Sequence, residues 1–265
     1  MKTVAFYAHG GADALKLSDL PPPAVSAQGV RVRVKAVGLN HLDIFVREGW
    51  PGLKLAFPHV LGADIAGVPV EHVPEFDAWS RGAVLVAAEE GIALPERYLL
   101  VSLGTGTSVL RIDDGRVERV GGTALGGGTV VGLGKLLLGV DSFAEVAAMA
   151  ERGDRRSVHL LVGDIYRGVD APLLRDLTAA SFAKLGSTRP DDLAQALMGM
   201  VGENVALLCA GLARVESLET VVYCGSTLSE NPSLRRIVAE ITTHFGQRPV
   251  FLAAGAFCGA VGATA

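Results

Sequence analysis

In the middle of the chain, apolar residues come in short blocks cut by glycine. Tyr98 to Leu103 is an apolar run of strand length, Val109 to Ile112 reads as a second strand and Arg116 to Val120 as a third. Asp114-Gly115 between the last two predicts a tight hairpin, because glycine accepts the positive φ such a turn needs. Val130 to Leu138 predicts a helix, and Ser142 to Arg152 another with Asp141 as its cap. Leu160 to Ile165 reads equally as a strand or a short helix. Asp176 is placed to cap a helix over Leu177 to Leu185. A long apolar helix starts at Asp191 or Asp192 and runs to about Ala213, with Glu203 and Asn204 mid-helix as buried polar links or an exposed face. Val221 to Cys224 predicts a buried strand ending at Gly225-Ser226. Asn231-Pro232 opens a helix to about Phe245, since proline at the first helical position loses no needed N–H. Pro249 to Leu252 is a last strand, and Ala253 to Ala263 a small-residue helix. Strand, glycine corner and helix thus recur, and open α/β sheets bind ligands at such strand ends.

The first quarter of the chain has a different pattern. Val4 to Tyr7, Ala14 to Leu17 and the alternating Val30 to Val37 predict strands, and Asn40 caps a short helix over His41 to Arg47. Near Val68 the pattern changes. An extended segment runs from Val70 to Ala78, and Ala78 to Glu90 reads as helical, although Gly82 counts against it. The expected domains are residues 1–68 and 69–265.

Composition narrows the field. The 265 residues are 49% hydrophobic and 20% charged, enough for one large core or two small ones. A net charge of −4 carries no electrostatic footprint for nucleic acid. Cys209, Cys224 and Cys258 lie far apart with no CxxC spacing, which points to a reducing compartment and away from a cysteine zinc site. Met1-Lys2-Thr3-Val4 lacks a signal-peptide core, and no stretch of 18 uninterrupted apolar residues predicts a membrane span.

Glycine and hydroxyl residues crowd Gly104 to Ser108 and Gly121 to Thr129. Bare amides at strand ends and a helix start suit phosphate. Gly104-Thr105-Gly106-Thr107-Ser108-Val109 fails the dinucleotide fingerprint at its last place. Gly134-Lys135 fails the P-loop, with Thr129 five residues before Gly134 and Leu136 after the lysine. The alternative is a glycine-rich hairpin that serves tight packing alone.

Two resemblances sort these features. Val34 to Asp43 and Pro58 to Gly67 resemble the start of the GroES-like domain of medium-chain dehydrogenases and quinone oxidoreductases. This covers about a quarter of the chain. Asn40 stands near the place of a zinc-ligating cysteine in that family, and no strand–GxGxxG–helix unit follows. His41, His59, Asp43 and Asp64 are read as turn and capping residues, so no metal site is assigned. From about residue 69 to Ala265 the chain resembles type II pantothenate kinases, of the acetate and sugar kinase/actin superfamily. The motifs are Glu75-Phe76-Asp77-Ala78, Gly104 to Ser108, Arg119 to Thr123, Gly126 to Gly128, Gly153-Asp154, Asp176 to Phe182, Val201 to Asn204, Gly225-Ser226 and Gly255 to Phe257. The implied fold is an α/β, actin-like or ribonuclease H-like ATPase with an incomplete first subdomain, preceded by the small β-rich fragment.

The second resemblance implies ATP-dependent phosphorylation of pantothenate, with Mg²⁺, in a cytoplasmic homodimer that makes coenzyme A precursors. Glu75 matches the family's general base on the pantothenate hydroxyl; by itself it reads as a strand-end glutamate in solvent. Asp77 is read as a cap for the helix beginning at Ala78. Arg119 is implied in catalysis and in holding substrate, Thr105 and Ser108 in the substrate and phosphate pocket. Gly104, Thr105, Gly106 and Gly126 to Gly128 are implied at the nucleotide phosphates, the triplet through its backbone amides. Gly225, Ser226 and Gly255 match the adenosine side, or are plain turns. One departure stands out. The superfamily's Asp-x-Gly-Gly-Thr phosphate hairpin is absent from residues 1–70, and the GroES-like fragment occupies its place. An inactive kinase-fold binding protein is therefore the alternative, and a medium-chain NADPH-dependent oxidoreductase the second.

Overall fold

The computed structural model describes residues 2–22, 34, 36–38, 41–49, 54–62, 64–66, 74–170 and 174–263. The chain forms two compact units, Met1–His72 and Val73–Ala265. In the first, β1 (Lys2–Phe6) pairs antiparallel with β2 (Lys16–Asp19) and with β4 (His59–Val60). A second ribbon joins β3 (Ala36–Gly38) to β5 (Asp64–Ala66), and α1 spans His41–Glu48. Phe6 is buried and packs its ring edge-on against Phe57 and His59. The Asp43 carboxylate accepts the Gly62 amide at 3.0 Å. The second strand starts at Lys16 rather than Ala14, because Ala12–Ala14 closes a 3₁₀ turn first. Asn40 and residues 30–33 lie outside the described residues, so the expected cap and most of the alternating strand do too.

The second unit is built on a five-stranded sheet of order β12-β11-β6-β7-β8. These strands are β6 (Arg97–Leu103), β7 (Thr107–Asp113), β8 (Arg116–Thr123), β11 (Thr220–Cys224) and β12 (Arg248–Phe251). β6, β11 and β12 run parallel, while β6, β7 and β8 form an antiparallel meander. The expected hairpin turn is present, with Asp114 at φ 48 and Gly115 at φ 77. β6 is the central strand and is covered on both faces, so Leu99, Leu100, Val101 and Leu103 are all fully buried. Each such side chain contributes about 1.5–3 kcal/mol by leaving water.

The period-two alternation divides the core into two layers. Leu99, Val101, Leu103, Val221 and Tyr223 face one side, with α3 (Gly127–Leu138), α4 (Phe143–Ala150), α6 (Pro190–Val215) and α7 (Pro232–His244). Tyr98, Leu100, Leu110, Val222 and Cys224 face the other, with α2 (Glu75–Glu89) and α8 (Cys258–Ala263). Among the described residues α6 is the one helix long and apolar enough to cross a membrane, and 67% of its apolar window is buried. Its all-round apolarity is that of a core helix. Ser142, not Asp141, caps α4 by accepting the Glu145 amide, and Asn231 caps α7 by accepting that of Leu234 at 3.1 Å.

Three expectations are corrected. α2 begins at Glu75 behind Pro74, three residues before the expected start, so Asp77 lies inside the first turn and is not the cap. Pro74 presets the entry, and Glu75 and Asp77 complement the helix dipole. Gly82 does not break α2: a side chain there would collide with the Cys258 carbonyl, so glycine permits α2 and α8 to touch. The helix expected over Leu177 to Leu185 is absent. Thr178–Ala180 forms β10 against β9 (Leu160–Leu161), which leads straight into the short α5 (Val162–Ile165).

Buried polar groups explain that last difference. The Glu203 carboxylate, on α6, accepts the Thr178 amide at 3.0 Å and is paired with Arg155, whose guanidinium also donates to Thr178 Oγ1 at 3.2 Å. Burial pushes the Glu203 pKa up, against the pull of Arg155. Fully buried His159 accepts the Phe182 amide at Nδ1 (3.0 Å), which leaves Nε2 to donate to the Ala196 carbonyl at 3.0 Å. Burial lowers its pKa from 6.5 to about 4, since an imidazolium there would be desolvated. The unfolded chain therefore takes up a proton near pH 6.5 that the native state refuses until about pH 4. Stability from this residue is present above pH 6.5 and is lost as pH falls through that window, by about 2.5 kcal/mol at pH 4.5. Urea unfolding between pH 7 and about pH 4.5 should show this loss, and His159→Gln, which keeps one donor and one acceptor, should flatten it.

Candidate active site

The β6–β7 hairpin turns through Gly104-Thr105-Gly106 at the C-terminal end of β6. β11 lies parallel beside β6, and its chain turns at Gly225 into the 3₁₀ turn Ser226–Leu228. The two corners touch. Gly225 has φ 108, and any side chain on it would collide with the Leu103 carbonyl. Its amide donates to the Gly255 carbonyl at 3.2 Å, so the corner after β12 joins the same assembly. The N-terminus of α3 closes the group. Gly127 N donates to the Gly104 carbonyl at 2.8 Å and Gly128 N to the Thr105 carbonyl at 3.0 Å. An added Cβ would meet Thr105 O at 2.6 Å from Gly126, Thr227 Oγ1 at 2.7 Å from Gly127 and Thr105 Cγ2 at 2.8 Å from Gly128. The triplet is glycine because the loop is packed on it.

This alters the expected use of the triplet. Two of its amides are already bonded to the loop. The amides of Thr105 and Gly106 have no hydrogen-bond partner among the described residues, and Thr105 is exposed. Successive free amides of this kind form an anion-binding concavity.

Ser108 and Arg119 share one face of the sheet. Ser108 pairs with Gly122 and Leu110 with Arg119, with a bulge between Val109 and Leu110 that leaves Val120 as the extra residue. The bulge puts Arg119 and Gly122 on the same side as Leu110, which is the α2 side. The exposed Arg119 guanidinium lies along the strand over Gly122, where an added Cβ would stand 2.6 Å from Nη2. α2 packs on this face and also contacts β8. Glu75 opens α2, is exposed, and makes no hydrogen bond or ion pair among the described residues. It belongs to a helix start, not to a strand end.

The structure therefore brings together Gly104, Thr105, Gly106, Gly126, Gly127, Gly128, Gly225 and Gly255 through direct backbone contacts, with Ser226 next in the chain after Gly225. It sets Ser108 and Arg119 on the adjoining strands, and Glu75 on the helix crossing the same face without a bond to either corner. Two further residues hold the site together. Thr227 Oγ1 donates to the Gly104 carbonyl at 2.8 Å. The Glu90 carboxylate accepts the Ala253 amide at 3.0 Å and the Ala254 amide at 2.8 Å, steadying the approach to Gly255. A hydroxyl beside Gly225-Ser226 was a sequence signal for the first. Glu90 carries no such signal, since its partners lie more than 160 residues away. Among the described residues no three His, Cys, Asp or Glu side chains converge as a metal site.

Residues 83–265 match the model of the family described as Fumble. The chain belongs to the Fumble family. It is 36% identical over 193 residues to the type II pantothenate kinase of Bacillus cereus strain G9842, a match covering 71% of this chain and 70% of that one. The type II pantothenate kinase of Staphylococcus aureus strain USA300 is 36% identical over 206 residues, covering 76% and 77%. Among solved structures, a ROK family protein from Streptococcus pneumoniae TIGR4 in complex with sucrose superposes with a TM-score of 0.47 at 15% identity. The ROK hexokinase from Thermus thermophilus does so with 0.47 at 17%. This Fumble-family chain spans 62% and 63% of those two structures' lengths and aligns over 71% and 69% of its own. The glycine corners and α3 all fall inside the Fumble match, whereas Glu75 precedes its first residue.

The corners should be intolerant in proportion to their closeness. Gly225→Ala should cost about 3 kcal/mol or more in urea unfolding, from strain at positive φ and collision with Leu103. Gly115→Asn, also at positive φ but with no heavy atom within 4 Å of the added Cβ, should cost about 1 kcal/mol or less.

Proposed function

We propose that this chain is a pantothenate kinase, transferring the γ-phosphoryl group of ATP to the primary hydroxyl of pantothenate in coenzyme A synthesis. The observation that carries the reading is the joined pair of glycine corners, with the free Thr105 and Gly106 amides beside the Gly225 corner. Family membership and the type II pantothenate kinases it resembles over three quarters of its length support it. In this reading the five-stranded sheet is the second half of an actin-like ATPase. Phosphoryl transfer asks the protein mainly for position and charge, which fixed amides and an arginine supply.

Pantothenate's hydroxyl oxygen attacks the γ-phosphorus and its proton passes to the Glu75 carboxylate, while the bond to the β-phosphate oxygen breaks and ADP leaves. Mg²⁺ enters with ATP as part of the substrate. Gly104, Thr105 and Gly106 form the phosphate end, braced from behind by Gly126 to Gly128, and Gly225, Ser226 and Gly255 form the adenosine end. Thr105, Ser108 and Arg119 hold pantothenate, and Arg119 offsets charge developing on the transferred group. Residues 1–70 contain no Asp-x-Gly-Gly-Thr hairpin, so turnover is expected below that of a kinase with both phosphate clamps. The first unit is proposed as a GroES-like fragment, on its sequence motifs and its small antiparallel sheets. A cytoplasmic homodimer is proposed from the resemblance.

A coupled ADP-release assay with pantothenate and Mg-ATP tests this on the full chain. Glu75→Gln should lower kcat by about 10²–10⁴. Arg119→Ala should lower kcat/KM about tenfold or more with the melting temperature unchanged, because its exposed side chain adds little to folding. Turnover no higher than that of Glu75→Gln would leave a nucleotide-binding protein of kinase fold. Saturable NADPH fluorescence would favour the oxidoreductase reading instead.

A further inference from the structure

The Gly104 carbonyl receives two hydrogen bonds from two different elements, Thr227 Oγ1 at 2.8 Å and Gly127 N at 2.8 Å. The next carbonyl, that of Thr105, receives Gly128 N at 3.0 Å. These peptides are trans, and a trans peptide carries its C=O and N–H on opposite edges. Turning both carbonyls inward, to α3 and to the corner after β11, turns the Thr105 and Gly106 amides outward. Those two amides are the ones without a partner among the described residues. The α3 amides and the Thr227 hydroxyl thus aim the loop and are not themselves presented to a ligand.

Thr227 is itself held from behind. It is buried at 4% exposure, its carbonyl accepts Asn231 Nδ2 at 3.3 Å, and Asn231 is anchored by the Leu234 amide. An added Cβ on Gly127 would come 2.7 Å from its hydroxyl, so α3, the β6–β7 loop and the β11 corner meet at this one side chain. We infer that Thr227 is a positioning residue for phosphate binding, joining the nucleoside-side corner to the Thr105–Gly106 amides. This rests on the phosphate reading of the corners given above.

Calorimetric titration of the full chain with ADP and with adenosine separates the possibilities. Wild type should bind ADP more tightly than adenosine. Thr227→Val, which keeps the shape and removes the donor, should lower ADP affinity about tenfold and leave adenosine affinity within about twofold. Thr227→Ser should restore the wild-type ratio. Equal loss for both ligands would mean a merely structural role, and unchanged ADP affinity would mean no role; either overturns the inference. A second measurement needs no variant. In an amide ¹⁵N–¹H spectrum of the wild type, ADP should shift Thr105 and Gly106 more than Gly127 and Gly128, and the reverse order would overturn it. A wild type that binds adenosine as well as ADP would overturn the phosphate reading itself, and this inference with it.

Discussion

Two backbones must approach more closely than side chains allow, and the glycine-corner end of the second unit depends on it. Gly225 presses on the carbonyl of Leu103, and Gly126 to Gly128 press on Thr105 and Gly106. Parallel pairing of β6 with β11 brings the strand ends level, so both chains must turn away at the same height. Glycine at each turn lets them do so in contact. The result is a cluster of peptide groups whose directions are set by one another. Peptide dipoles held in this way cost no reorganisation when an anion arrives, which is what phosphoryl transfer needs from a protein.

A second, polar centre governs the far side of α6. Buried Glu203 bonds with half-buried Arg155 and Thr178, and buried His159 bonds with the Phe182 amide and the Ala196 carbonyl. A buried charge without a partner would be prohibitive, and here the carboxylate has both a guanidinium and a backbone amide. The backbone donors of Thr178 and Phe182 serve these side chains, so they are withdrawn from any helix. The same centre ties the segment from Arg155 to Phe182 onto α6, whose other faces pack on β6, β11, α3, α4 and α7. The sheet that carries the glycine corners therefore rests on a helix fixed in place from both directions.

The first unit obeys different rules. Its described core is small, centred on Ala5 and Phe6, with Asp43 holding a loop amide. It lies wholly outside the Fumble match, which begins inside α2. The catalytic carboxylate proposed at Glu75 sits at the start of that helix.

Periodicity and glycine spacing alone determined most of the second unit: the β6–β7–β8 meander with its Asp114-Gly115 turn, the long core helix, and the start of α7 with its cap at Asn231 and Pro232 at the first helical position. Those signals are local, set within a few residues by φ preference or by the alternation of buried positions. Motif order determined the kinase resemblance in the same way. Tertiary structure decided the rest. Gly82 is tolerated in α2 because α8 lies against it, and Thr178 is a strand because Glu203, 25 residues on, takes its amide. The role of Gly126 to Gly128 was decided there as well, since only the folded chain shows that Gly127 and Gly128 bond to the Gly104 and Thr105 carbonyls. A sequence records which groups are able to donate or accept; which partner each one meets is settled by contacts between distant segments.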